Sequence, residues 1–264
     1  MSCRVISIVN QKGGVGKTTT TINLSTALAA INKSILVLDL DPQGNASTGF
    51  GIENEERTGN IYHALVGELD ITDTIIETSI PNLKLITSTV DLSGAELELL
   101  EINNREFRLK WLLEKCKKNF DFILIDCPPS LSILTLNALV ASDSVLIPLQ
   151  CEFFALEGLS HLLKTISLVQ KKLNSALEIE GIVLTMYDSR NRLTTLVEND
   201  VRQCLGDLVF KTVVPRNVRI SEAPSHGQPA IIYDLKCQGS IAYINLAKEL
   251  LKKMKCKQEE LIGS

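Results

Sequence analysis

Asn10-Gln11-Lys12-Gly13-Gly14-Val15-Gly16-Lys17-Thr18-Thr19 decides how the rest of this chain is read. The apolar run Val5 to Val9 before it reads as a strand. A helix is expected from Thr18 to Ala30, with Ile22, Leu24, Ala27, Leu28 and Ile31 at its apolar positions. Strand, glycine-rich loop and helix start are the setting a phosphate needs. Glycines at 13, 14 and 16 can take backbone angles closed to other residues and turn their N–H groups inward. The helix start adds unpaired N–H groups and the positive end of a dipole. On this reading Gln11 through Thr19 wraps a phosphate chain, Lys17 reaches the β and γ phosphates, and the Thr18 hydroxyl ligates the bridging Mg²⁺. The alternative, a glycine-rich turn followed by chance by Lys-Thr, has to explain why strand, glycines, lysine and threonine all fall in register.

The loop departs from the common G-x-x-x-x-G-K-[ST] pattern, because Gln11 stands where glycine is usual and a second lysine stands at 12. This is the deviant Walker A form. Three further runs follow in order: Leu38-Asp39-Leu40-Asp41-Pro42-Gln43-Gly44-Asn45, Asp126-Cys127-Pro128-Pro129-Ser130, and Pro215-Arg216-Asn217-Val218-Arg219-Ile220-Ser221-Glu222-Ala223-Pro224-Ser225. Together with Lys12 to Thr19 they closely resemble the ParA/Soj family of DNA-partition ATPases, up to about residue 253. The resemblance implies an ATP-dependent sandwich homodimer in which Lys12 crosses to the partner's nucleotide. There it would neutralise charge on the transferred phosphoryl group, as an arginine finger does. It also implies that Asp41 positions the attacking water, so that Lys12, Lys17 and Asp41 form the catalytic set. Pro215 and Asn217 match positions that contact adenine, and Arg190 and Arg219 match nucleoid-binding arginines. The implied partners are non-specific DNA and a ParB-like centromere-binding protein, in a cytoplasmic, nucleoid-associated setting. With the first strand so near the N-terminus, the helix-turn-helix extension of larger plasmid-type relatives is not expected, nor is operator-specific binding.

The acids support the phosphate reading independently. Ile35 to Asp39 is short and uniformly apolar, as a buried parallel strand should be, and it ends in acid. Asp39 and Asp41 therefore fall at the carboxyl edge of a strand, the ligand edge of an open α/β sheet. Two carboxylates beside a polyphosphate would repel it unless a metal ion or a water lay between them. Phe122 to Asp126 repeats the pattern in Walker B form, and Thr18, Asp39 and Asp126 are the expected Mg²⁺ set. Pro128, Pro129 and Ser130 turn sharply after it.

With 264 residues and 45% hydrophobic content, the chain can build a sizeable core. It has no linker-like tract, repeat or apolar run of membrane-spanning length, so a single P-loop ATPase domain is expected over 1–254, with a short polar tail at 255–264. Residues 1–160 hold 12 Lys+Arg against 20 Asp+Glu (−8), and residues 161–264 hold 15 against 11 (+4). Any DNA should therefore face the C-terminal part. Seven cysteines with no C-x-x-C pair are expected to be reduced and mostly buried thiols.

Further strands are expected at Leu83–Thr87, Val145–Leu149, Ile182–Met186 and from Val213, the last ending in a basic loop. Further helices are expected at Ile61–Val66, Arg105–Lys117, Leu156–Leu173 and Ser240–Met254. Trp111, among Leu109, Leu112 and Leu113, reads as core. The alternation implies an α/β fold with a mostly parallel, doubly wound sheet flanked by helices. The main alternative function is a MinD-like membrane-associated cell-division ATPase. That needs an amphipathic helix after the core, where Lys255 to Ser264 offers only Leu261 and Ile262 among lysines and glutamates, so no membrane partner is expected. An ATP-dependent ligase or iron-sulfur reductase is a further alternative, but Cys127 and Cys151 read as buried thiols.

Overall fold

The computed structural model describes residues 3–262. Its strands are β1 (Arg4–Ile8), β2 (Ile35–Asp39), β3 (Ile75–Glu77), β4 (Leu83–Ile86), β5 (Phe122–Asp126), β6 (Ser144–Gln150), β7 (Glu178–Tyr187) and β8 (Val209–Pro215). The helices are α1 (Lys17–Ala29), α2 (Asn45–Gly49), α3 (Ile61–Val66), α4 (Leu92–Glu98), α5 (Arg108–Leu113) and α6 (Ile133–Ala141), followed by α7 (Ala155–Lys172), α8 (Arg192–Leu205), α9 (Val218–Glu222), α10 (Ala230–Tyr233) and α11 (Gln238–Ile262). The strands form one sheet in the order β3-β4-β2-β5-β1-β6-β7-β8, parallel throughout except for β3 against β4. The expected doubly wound α/β fold is the one observed.

Alternation along the strands explains the two cores. Val5, Leu36, Leu38, Ile123 and Ile125 enter one cluster, and their neighbours Ile6, Ile8, Ile35, Val37 and Leu124 enter the other. A period of two sends successive side chains to opposite faces, and with helices on both faces most positions on these strands are apolar. The second cluster is closed by α1 and α11 through Ile22, Leu24, Leu28, Tyr243, Leu246 and Leu250. Because β5 inserts between β1 and β2, the chain leaves β1 in one direction and reaches β6 in the other. The crevice at such a switch point is where α/β sheets bind ligands.

Helix α1 is polar in composition yet buried, and its hydroxyls find partners close by. Thr21 and Thr26 donate back to the carbonyls of Lys17 and Ile22 at 3.1 and 2.7 Å, and Thr20 Oγ1 lies 3.2 Å from the Tyr243 hydroxyl. Satisfied in this way, they avoid the cost of a bare buried polar group.

Several expectations are corrected. Helix α1 stops at Ala29, so Ile31 lies beyond it in solvent. Trp111 is 49% exposed and stacks on Phe107 at 6.1 Å rather than entering the core. The helix expected over 105–117 is confined to Arg108–Leu113 between single 3₁₀ turns. Arg219 lies in α9, where a loop was expected. Helix α11 runs on through the 255–262 part of the expected tail. Cys116, Cys127 and Cys151 are buried, Cys3 and Cys237 half-buried, and Cys204 and Cys256 exposed, so the thiols are free but not mostly buried. Residues 263 and 264 of that tail lie outside the described residues.

Packing between β7 and β8 yields the first prediction. A Cβ at Gly181 would stand 2.5 Å from Phe210 Cε2 and 2.9 Å from the Leu208 carbonyl. Gly181→Ala should cost about 1–3 kcal/mol through overpacking, read as a lower urea midpoint at unchanged m-value.

Candidate functional site

The loop between β1 and α1 is held open by its backbone. Gly14 stands at φ 74°, and Gly16 caps α1 at φ 86°, in the left-handed region that side chains rarely enter. A Cβ built at Gly13 or Gly14 would meet nothing within 4 Å, so the hollow they border is open. The neighbouring strands pin the loop from outside. Asn10 Nδ2 donates to the Pro148 carbonyl of β6 at 2.7 Å, its Oδ1 accepts from Lys12 N at 3.0 Å, and Thr185 Oγ1 of β7 donates to the Val15 carbonyl at 2.8 Å.

The two lysines of this loop have different surroundings. Lys17 is buried, with Nζ 3.3 Å from the Lys12 carbonyl. Burial lowers the pKa of its ammonium group, against the pull of Asp126, Cys127 and Asp41. Lys12 points its ammonium to the rim, where it pairs with Glu152 in the turn between β6 and α7.

Register brings the acids together. Asp39 pairs with Asp126 across β2 and β5, and Ile8 pairs with Asp126 across β1 and β5, so both carboxylates end at the level where the phosphate loop begins. Asp126 Oδ1 lies 3.0 Å from Thr21 Oγ1, and Oδ2 is buried without a partner. Burial first, then the Asp39 charge, pushes Asp126 up to about 8. An orphaned carboxylate oxygen beside a threonine hydroxyl fits a hard divalent cation, which takes oxygen ligands.

Asp39 is differently placed. Its Oδ2 accepts from Ser47 N and Ser47 Oγ at 2.8 and 2.7 Å, and its Oδ1 accepts from Asp41 N at 3.3 Å. These bonds commit both oxygens to holding the 41–47 turn, although burial still pushes the carboxyl up to about 6. Arg57 braces the same turn from outside. Its buried guanidinium donates to the Gly44, Ser88 and Ile52 carbonyls and to Thr48 Oγ1. Asp41, nearly buried, accepts from Gln43 N at 3.0 Å.

A cavity of about 280 Å³ adjoins the loop, bounded by Gly16, Thr19, Thr185, Met186, Pro215, Asn217, Ile220 and Tyr243, among others. Pro215 and Asn217 thus line the cavity next to the loop. Met186 is held at φ 48° there, a strained conformation that costs about 1–3 kcal/mol and is typical of ligand sites.

The two expected DNA-contacting arginines are not in this constellation. Arg190, largely exposed, makes a bidentate contact with Asp188 at 2.9 Å on both arms. Arg219 pairs with Glu222 at 2.9 Å and Asp234 at 3.6 Å.

The comparisons with known proteins match this geometry. A family model described as an AAA domain covers residues 3–179. The chromosome partitioning protein ParA of Caulobacter vibrioides (strain NA1000 / CB15N) is 53% identical over 257 residues, which is 97% of this chain and 96% of that protein. The sporulation initiation inhibitor protein Soj of Bacillus subtilis (strain 168) is 55% identical over 247 residues, covering 94% and 98%. This chain belongs to the ParA/Soj family of partition ATPases. A solved structure of Mycobacterium smegmatis cobyrinic acid a,c-diamide synthase, with bound ADP and magnesium, aligns at a TM-score of 0.84 and 36% identity over 97% of this chain and 96% of that one.

Set in that family, the P-loop residues Gln11 to Thr19, with Asp41 and Asp126, converge at one edge of the sheet. The sequence reading missed Thr21, Ser47, Arg57, Glu152, Thr185 and Met186. Thr185 and Met186 were within reach, because they end a strand at the ligand edge. Arg57 and Glu152 carry no local signal. For this ParA/Soj chain, Asp126→Asn should leave the nucleotide-free protein at least as stable, because it removes one of two adjacent buried carboxylates. The same change should abolish the rise in melting temperature given by Mg²⁺ with ATP. Thermal unfolding with and without both ligands reads each effect.

Proposed function

We propose that this protein is a Mg²⁺-dependent ATPase that dimerises on ATP, binds DNA non-specifically and partitions chromosomes or plasmids with a centromere-binding partner. The observation that carries this reading is the divergence of the two loop lysines. Lys17 is buried beside the phosphate hollow, whereas Lys12 stands at the rim on Glu152. A lysine held on the rim is free to serve the nucleotide of a second copy once it leaves Glu152. An exposed ion pair of this kind is worth only about 0–1 kcal/mol, so a phosphate can displace the carboxylate.

In this reading the inward N–H groups of the loop and Lys17 bind the phosphates, while Pro215 and Asn217 line the base. Thr18 and Asp126 hold Mg²⁺, which when bound neutralises β and γ phosphate oxygens. Asp41 accepts a hydrogen bond from the attacking water and orients it. Asp39 acts through Ser47 and the turn it holds, so we assign it to positioning rather than to the metal. The partition reading stands over a MinD-like one because ParA and Soj are 53% and 55% identical to this chain over nearly its whole length. Among the described residues, no helix is long and apolar enough to cross a membrane.

Three substitutions separate the roles. Lys17→Ala should lose ATP binding. Lys12→Ala should bind ATP but neither dimerise nor hydrolyse it. Asp41→Ala should bind ATP, stop turnover and accumulate the dimer. Equilibrium nucleotide binding, phosphate release and size-exclusion chromatography read them; equal loss of ATP affinity in the two lysine variants would exclude the in-trans role.

DNA contact is assigned to Arg190 and Arg219 in the basic C-terminal part, which places the ATP-bound form on the nucleoid. Each arginine must exchange an intramolecular carboxylate for a phosphate, so single contacts are weak and doubling them by dimerisation is what gives affinity. Arg219→Ala should weaken binding on any duplex and lower the salt slope by about one per contact, or about two per dimer. Hydrolysis without DNA should be retained. A double Arg190→Ala, Arg219→Ala variant that still shifts random duplex with wild-type affinity would remove this patch.

A further inference from the structure

Away from the nucleotide site, the segment around α4 sets large apolar side chains in solvent among acids. Val90 is 71% exposed, Leu97 72% and Leu100 53%. Beside them lies a cavity of about 360 Å³ lined by Val66, Leu97 and Ile102, with Glu98 and Glu101 also in its wall. Tyr62 Oη donates to Glu98 at 2.9 Å and fixes that carboxylate in place. Residues 90–106 carry Asp91, Glu96, Glu98, Glu101 and Glu106 against Arg105 alone, five negative charges to one positive, or −4. Arg105 turns back onto its own segment, donating from Nη1 to the Leu100 carbonyl at 2.8 Å. Single exposed hydrophobic residues need no explanation, but three on one short segment, with Leu97 in the wall of a cavity, form a patch of the kind that marks an interaction site.

We propose that this surface docks a cationic amphipathic helix. Its apolar stripe would enter the cavity between Val66 and Ile102, and its flanking lysines or arginines would meet Glu98 and Glu101. Charge selects this occupant over the others. A second copy of the chain in a two-fold contact would set the −4 segment against itself, and an anionic membrane or nucleic acid would be repelled by it.

The probe is a fluorescein-labelled leucine-lysine peptide of about 18 residues, its leucines at helical i, i+3, i+4 spacing, set against a scrambled peptide of the same composition. Titrated into the full-length protein, the amphipathic peptide should bind about tenfold tighter than the scrambled one. Hydrogen exchange should slow over 90–102 and α3, and not over the acidic turn Glu53–Glu56. The double variants Leu97→Ser, Leu100→Ser and Glu98→Gln, Glu101→Gln should each weaken binding about tenfold, with unchanged thermal stability and basal ATP hydrolysis. The proposal is overturned if the two peptides bind equally or if protection spreads over every acidic stretch. It is overturned too if the leucine variant keeps peptide affinity and loses only self-association, which would give the patch to a second copy.

Discussion

Two carboxylates buried side by side constrain this site more than any other feature. Asp39 and Asp126 are in register on adjacent strands with no solvent exposure, and the Asp39 charge raises the Asp126 pKa on top of the effect of burial. Such a pair is tolerable only if its oxygens are engaged. Asp39 is satisfied by Ser47 and by the backbone of Asp41, whereas Asp126 has Thr21 at one carboxylate oxygen and the other left bare. The asymmetry is plain: one acid is committed to a turn, and the other keeps a bare oxygen. Two apparently equivalent strand-end aspartates thus acquire different chemistry from their neighbours.

The rest of the site depends on holding those groups still. Buried threonines keep the polar first helix inside the core and hand a hydroxyl to Asp126. Arg57 ties the turn after β2 to the end of β4 through three carbonyls and the Thr48 hydroxyl, so it stiffens the backbone around Asp41. A region that shows no chemistry in the sequence, residues 50–120, therefore supplies both this brace and the acidic apolar surface around α4.

Lys12 shows how little covalent distance separates binding from coupling. Five residues from Lys17, it has a different burial and a different partner. In the function proposed above, a group on the rim links nucleotide occupancy to assembly, because its electrostatic value is realised only when a second charged centre replaces Glu152.

The sequence by itself determined the glycine loop, the strand-end acids and the α/β order, because each is local. Backbone angles at Gly14 and Gly16, uniform apolarity in Ile35–Asp39 and Phe122–Asp126, and a two-residue alternation are written in consecutive residues. What only the tertiary structure decided depends on groups far apart in the chain. Trp111 sits among leucines in sequence yet faces solvent, because α5 buries the face of Leu109, Leu112 and Leu113, and Trp111, on the other face, stacks on Phe107 at the surface. The fates of Asp39 and Asp126 rest on Ser47 and Thr21, and that of Lys12 on Glu152, 140 positions away. Periodicity tells which face a residue takes, but the partner across a turn or on a neighbouring strand is chosen by packing, and that partner sets the charge state and the role.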